Sequence, residues 1–432
     1  MLFLFIISCS IEDELDYNKT TVEETQTVNL NRNLYKEKPL NIPEISKTEL
    51  IIQYKNNVTQ TQKATLRAKY DVKDNGYEGC NCTDGSIEKW QWNETDSINV
   101  EDKLNSMRAE EGGVEGLIKN VDNEFSFKRE KKTVVEDNIT IGTGTTFLNY
   151  QSFIKDNDRN SVIIAVLDTG VNVNYKGFKE KFLYDATGTQ YSVNIGFSNQ
   201  ISGWDFANED DDTDDDYAKI HGTKVINIIH QKLFNEKISN QILPIKVADN
   251  NGRVSAFNLV CGIKSAVEIA DIVNLSLGYY SNGEDHKSTI IESLIIEYNH
   301  VLFVTSAGNN GSDNDEKDAF NHYPSDYPQE NVLSIAAADP EGIRRADFSN
   351  YGAKSVDFYA IGEDVKFIEY GPTNIIRKIS GTSYAAPYVT AVVAKIFFET
   401  RLQPSGIIQK LDMIGVPIDE DGEKVKYGKI IK

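Results

Sequence analysis

Val162-Ile163-Ile164-Ala165-Val166-Leu167-Asp168-Thr169-Gly170 is an unbroken apolar run that ends in a carboxylate and a turn glycine. A strand with one wet face alternates apolar and polar residues, so consecutive apolar positions fit a strand covered on both faces. Similar runs recur at residues 242–247, 272–277, 301–305 and 332–337, and the stretches 221–230, 256–269 and 288–298 between them suit helices. Buried strands alternating with helices predict an α/β fold, a mostly parallel open sheet with helices on both faces. In such sheets the reactive groups collect at the carboxyl ends of the strands, which is where Asp168 stands.

The chain around this run has 432 residues, enough for about two folding units. Its hydrophobic content of 40% can fill a sizeable core, and its formal net charge of −21 disfavours nucleic acid as a partner and anionic lipid as a direct one. No apolar run reaches the roughly 18–20 residues of a membrane-spanning helix. The apolar stretch at residues 2–7 leads into Ser8-Cys9-Ser10 and an acidic tail, resembling a bacterial lipoprotein signal in which the cysteine is acylated. That reading predicts export to a bacterial cell envelope or surface, with membrane contact only through a lipid on Cys9. An ordinary secretory signal or a buried strand are the alternatives.

Residues 1–9 are thus read as the export signal and 10–45 as a polar tether without apolar period. Residues 46–127 form a small α+β domain: strand-like at 49–54 and 87–92, helical at 60–70 and 100–110, with a closing strand at 116–125. Residues 128–146, with Gly142-Thr143-Gly144-Thr145 as their softest part, are a linker, and 147–432 the larger domain.

Three further segments put useful groups beside Asp168. His221 opens a helix in His221-Gly222-Thr223; Asn309 follows a buried strand in Ser306-Ala307-Gly308-Asn309; Ser383 starts an apolar helix in Ser380-Gly381-Thr382-Ser383-Tyr384-Ala385-Ala386-Pro387. Carboxylate, imidazole, amide and hydroxyl are the parts of an acyl-transfer site. Singly each is weak, since a helix-start serine is usually a cap. In the order Asp, His, Asn, Ser, with these flanking residues, residues 138–405 resemble the subtilisin-like serine proteases. Asn274-Leu275-Ser276-Leu277-Gly278, Tyr323-Pro324-Ser325 and Phe348-Ser349-Asn350-Tyr351-Gly352 resemble further landmarks of that family.

The resemblance implies a secreted serine endopeptidase acting on polypeptides. Ser383 would be the nucleophile, His221 the general base, Asp168 its orienting carboxylate and Asn309 the oxyanion donor, with Ser276, Leu277 and Gly278 as the strand on which substrate lies. No cofactor is required for that chemistry. Residues 46–127 then look like the family's inhibitory propeptide, a β-α-β-β-α-β unit acting as an intramolecular inhibitor and cut from the enzyme between about Phe127 and Thr146; an unrelated accessory domain is the alternative. Lys224, Ile226 and Asn227 depart from the small residues and second histidine that usually follow the catalytic histidine. His230, His286, His300 and His322 are read as structural or exposed.

Residues 208–216 hold seven carboxylates in nine positions. Such crowding suits either a structural calcium, with Asp210, Asp212 and Asp214 as candidate ligands, or a hydrated loop. A bridge between Cys80 and Cys82 would be strained and two thiols make a poor zinc site, so these cysteines are read as structural or partnered elsewhere, and Cys261 as buried packing. An α/β-hydrolase would need Gly-x-Ser-x-Gly and the order Ser, acid, His, which this chain lacks. A catalytically silent protein keeping the fold would be marked by a missing triad member, and none is missing.

Overall fold

The computed structural model describes residues 42–80, 83–93, 99–110, 116–128, 154–155, 158, 160–186, 202–281, 286–316, 320–370 and 374–432. The signal segment with Cys9, the tether up to residue 41, Cys82 and the linker from 129 onward lie outside these residues.

The first module runs β1 (Glu44–Tyr54), α1 (Gln60–Lys69), β2 (Tyr77–Gly79), β3 (Ile87–Gln91), α2 (Val100–Glu110) and β4 (Ile118–Lys128). Thr59 starts α1 with a capping box, its side chain accepting from Gln62 N while Gln62 reaches back to the Thr59 backbone. The strands pair antiparallel in the order β2-β3-β1-β4. Leu50, Ile52 and Trp90 turn one face of this sheet onto Leu66 of α1 and Leu104 and Met107 of α2, giving the module its own core. β1 begins at Glu44, earlier than the tether reading allows, because Glu44 and Ile45 pair with Ser126 and Phe125 at the far end of β4 across an irregularity before Leu50. β2, three residues at the rim, carries too short a pattern to be read in advance.

The larger body continues with β5 (Val162–Asp168), β6 (Trp204–Asp205), α3 (His221–Glu236), β7 (Asn240–Lys246), β8 (Arg253–Ser255), α4 (Ala256–Val267), β9 (Ile272–Leu275), β10 (Tyr279–Ser281) and α5 (Thr289–Glu297). There follow β11 (Leu302–Ser306), β12 (Asn321–Tyr323), β13 (Val332–Ala338), β14 (Phe358–Ile361), β15 (Val365–Glu369), β16 (Ile375–Ile379), α6 (Thr382–Thr400), α7 (Pro404–Ile414), β17 (Val416–Pro417) and β18 (Lys429–Ile431). Among the described residues the main sheet has nine strands in the order β17-β18-β14-β13-β11-β9-β5-β7-β6, all parallel apart from the edge strand β17. β5 explains the uninterrupted apolar run. Ile164 and Val166 pack with Val225 and Ile229 of α3 and Val389 and Val393 of α6, while Ala165 and Leu167 face Leu259 and Ile263 of α4 and Ile291 and Leu294 of α5. No helix of the described residues is long and apolar enough to cross a membrane.

The module's sheet does not stop at β4. β8 of the body adds to it, pairing Ser126, Phe127 and Lys128 with Ser255, Val254 and Arg253. The second face of the module sheet, with Ile51, Ile87, Phe125 and Phe127, joins the apolar cluster of α4 and α5. Two carboxylates on β4 meet the starts of those helices. Asp122 accepts from Ser288 Oγ at 2.6 Å, Thr289 N at 3.0 Å, Thr289 Oγ1 at 2.6 Å and Ile290 N at 3.0 Å, and Glu124 accepts from Phe257 N at 2.9 Å. Helix N-termini leave N–H groups without intrahelical partners, and negative charge is favourable there. Burial pushes the Glu124 carboxyl up to about 8, although Lys89 pulls the other way.

One reading needs correction. Cys261 of α4 is not simple packing: it is disulfide-bonded to Cys80 of the module across a sequence separation of 181. A buried thiol on an apolar helix has the same sequence signature whether or not a second sulfur approaches it.

Candidate active site

The site is assembled at the carboxyl ends of β5 and β11 and the amino ends of α3 and α6. Asp168 ends β5 with its side chain 1% exposed, and both of its oxygens face Nδ1 of the buried His221, at 2.8 and 2.9 Å. A carboxylate on Nδ1 fixes the imidazole so that Nε2 is the nitrogen available for proton transfer. Three short contacts hold the start of α3 against the loop after β5 and the segment after β6. Gly222 N donates to Thr169 Oγ1 at 2.9 Å, Thr223 N to Asp215 Oδ2 at 2.9 Å, and Asn172 N to Thr223 Oγ1 at 2.9 Å. Ile220, one residue before His221, sits in the left-handed region at φ 43°, which costs a β-branched residue on the order of 1–3 kcal/mol. Backbone strain and side-chain caps together aim the imidazole.

Ser383 lies at the second position of α6 and is 8% exposed. Its neighbour Thr382 donates to Asn309 Oδ1 through both N and Oγ1, at 2.9 and 3.0 Å. With Oδ1 engaged as an acceptor, the remaining polar end of the Asn309 amide is its donor. The His221 ring stands 5.3 Å from that of Tyr384, the residue after Ser383, so imidazole, hydroxyl and amide share one neighbourhood. A Cβ on Gly381 would lie 3.1 Å from Ser383 Oγ and 3.8 Å from Asn309 Oδ1. Ser276, Leu277 and Gly278 follow β9, next to β11 in the sheet, and Thr390 of α6 ties this segment down by donating to Asn274, which in turn donates to Ser276 Oγ at 2.9 Å.

Asp215, Thr169 and Thr382 are the site residues missed in the sequence. Asp215 was hidden within the acidic run, yet it is 3% exposed and its carboxyl is pushed up to about 8, chiefly by burial, with the charge of Asp168 adding to the rise. The rest of that run folds locally. Asp210 Oδ1 accepts from Asp212 N, Asp212 Oδ1 from Asp214 N, and the Lys246 ammonium bridges Asp205 at 2.9 Å and Asp216 at 3.0 Å. Among the described residues no three His, Cys, Asp or Glu side chains are grouped to hold a metal ion. Lys224, one of the departures after His221, is buried with its ammonium 5.7 Å from the Phe367 ring centre. His230, His286 and His322 are buried, and His300 is exposed.

Residues 159–401 match the model of the subtilase family. The subtilisin-like protease 2 of Pseudogymnoascus destructans is 28% identical over 272 residues, covering 61% of this chain and 59% of that protein. The cell wall-associated protease of Bacillus subtilis is 29% identical over 280 residues, covering 62% of this chain and 28% of that protein. The chain thus spans less than two thirds of the length of either relative. In fold it is similar to the crystal structure of a lanthipeptide protease, with a TM-score of 0.50, 20% identity and coverage of 62% of this chain and 85% of that one.

Proposed function

Since the chain belongs to the subtilase family, we propose that it is a serine endopeptidase, exported and made as a precursor held inactive by its own first module. The observation that carries the activity is the double contact of Asp168 with His221 Nδ1, set beside an Asn309 held by the residue preceding Ser383. In this reading Ser383 Oγ attacks the scissile carbonyl while His221 Nε2 takes its proton and later gives it to the leaving amine. The negative oxygen that develops is met by the Asn309 amide and by Ser383 N at the start of α6, where backbone donors and the helix dipole favour negative charge. Substrate backbone would lie along Ser276, Leu277 and Gly278 as an added strand.

Docking of the module on the body is supported by the caps that Asp122 and Glu124 place on α5 and α4 and by the strand pairing of β4 with β8; its inhibitory role rests on the family resemblance. Export and lipid attachment at Cys9 rest on the terminal sequence alone. The relative named as cell wall-associated is consistent with the export part of that reading.

A fluorophosphonate probe applied to wild type and Ser383→Ala, after removal of the module, tests the activity. Labelling of wild type alone is the expected result. Absence of labelling in a folded, module-free sample would mean a catalytically silent family member. Mass mapping of the N-terminus of the exported protein tests the signal and lipid, with diacylglycerol on Cys9 as the expected finding.

A further inference from the structure

The backbone joins module and body once, through the residues between β4 and β5. The structure joins them a second time, through sulfur. Cys80 follows β2 and is 5% exposed; Cys261 lies mid-helix in α4 and is fully buried. The loop after Cys80 is pinned to the same helix, with Asp84 pairing Lys264 at 3.1 Å, and Lys264 is in turn held by Glu268 at 2.7 Å. The bond is therefore built into the interface and not a surface accident.

We propose that the Cys80–Cys261 disulfide makes the module a covalently retained inhibitor, so that cutting the backbone between β4 and β5 does not release it and a thiol reductant completes the release. Retention follows from the covalent topology; inhibition rests on the protease reading above. A module held only by hydrogen bonds and apolar contact leaves on dilution once the backbone is cut. A tethered module re-binds at an effective concentration on the order of millimolar or more, whatever the dilution. Release then takes two electrons. A dithiol reductant attacks one sulfur as a thiolate, passes through a mixed disulfide and leaves as its own cyclic disulfide, while Cys80 and Cys261 each end as thiols carrying one proton. Burial shields both sulfurs while the module stays docked.

The test inserts a recognition site for an unrelated protease within residues 129–146 of the full chain. The purified, oxidised protein is cut and examined on denaturing gels with and without reductant, and Ser383 labelling is followed in parallel. One band of full mass without reductant and two bands with it are expected, together with at least a 10-fold faster labelling after reduction. Cys261→Ser should separate on the non-reducing gel and label rapidly without reductant. Two bands from cut wild type before reduction, or equal labelling before and after it, overturn the proposal. If Cys261→Ser does not fold, the oxidised and reduced wild type decide the matter alone. If Ser383 labels in no sample, including one freed of its module, the protease reading fails while the gels still report on retention.

Discussion

Gly222 rests against the backbone of Gly170: a Cβ at position 222 would stand 2.2 Å from the Gly170 carbonyl oxygen and 3.2 Å from the Cβ of Asp168. The residue after His221 is therefore glycine because the loop after β5 must pass directly over the start of α3. Gly222→Ala forces the two apart and moves His221 with the helix. A displacement of about 1 Å at a reacting group costs on the order of 10²-fold in rate. Fluorophosphonate labelling should fall by at least that much, with a lower thermal midpoint; unchanged labelling would show that the contact does not position the imidazole.

Two substitutions separate orientation from charge stabilisation. Asp168→Asn keeps the shape but favours the wrong imidazole tautomer, with an expected loss of about 10⁴-fold in kcat. Asn309→Ala removes the proposed oxyanion donor and should cost about 10²–10³-fold. Both should leave KM for a peptide substrate nearly unchanged. A large KM effect from Asn309→Ala would assign it to ground-state binding instead.

His230 sits among aromatic rings, with Phe178 and Phe182 at 5.6 and 5.0 Å, and its Nε2 accepts from Lys179 N at 3.1 Å. Burial lowers its pKa to about 4 from the usual 6.5. Between those values the unfolded chain holds the extra proton, so its contribution to stability is complete above about pH 6.5 and is lost as pH falls toward 4. His230→Phe keeps the ring contacts and removes the titration. Urea unfolding should find it less stable than wild type at pH 8, by about 1 kcal/mol for the lost acceptor, with the gap closing or reversing by about pH 5. A gap independent of pH refutes the assignment.

Asp122 is the acceptor for four donors at the start of α5. Asp122→Ala takes the acceptor from two buried donors, on Ser288 and Ile290, and two half-buried ones on Thr289, a loss on the order of 2–4 kcal/mol. The lower urea midpoint of the full chain and faster hydrogen exchange in the first turn of α5 measure it. Unchanged exchange there would mean that water replaces the carboxylate without cost.

Lys246 places a buried cation between Asp205 and Asp216, with the Asp205 side chain 1% exposed. Lys246→Met takes the cation from a buried carboxylate and leaves it only the N–H donors of Ala207 and Asn208, which costs on the order of 3–5 kcal/mol. Lys246→Met with Asp205→Asn should recover part of it, and a double variant as unstable as the single one would show that packing and not charge is at stake.

What the sequence makes legible follows from periodicity. β5, α2 and the core of α6 are visible because an apolar run, a helical spacing or a small-residue helix start is a local signal. Asp168, His221, Asn309 and Ser383 are visible because each sits beside turn glycines or helix starts of specific pattern. The rest depends on partners far along the chain. The early start of β1 needs the far end of β4, and β8 needs β4 as its neighbour. The bond from Cys80 to Cys261 spans 181 residues. Asp215 looks like one more member of an acidic run until Thr223 is brought beneath it, and Lys246 looks like an ordinary strand-end lysine until Asp205 and Asp216 close on it.

β4 has a paired neighbour on each side, β1 from its own module and β8 from the body. Peeling the module away would unpair the end of β4 at Ser126, Phe127 and Lys128 and leave its amide and carbonyl groups open to any passing extended chain. A discarded module with such a bare margin is a poor candidate for return, because self-association or digestion competes with re-docking. The unlocking of this protein would then run in one direction only.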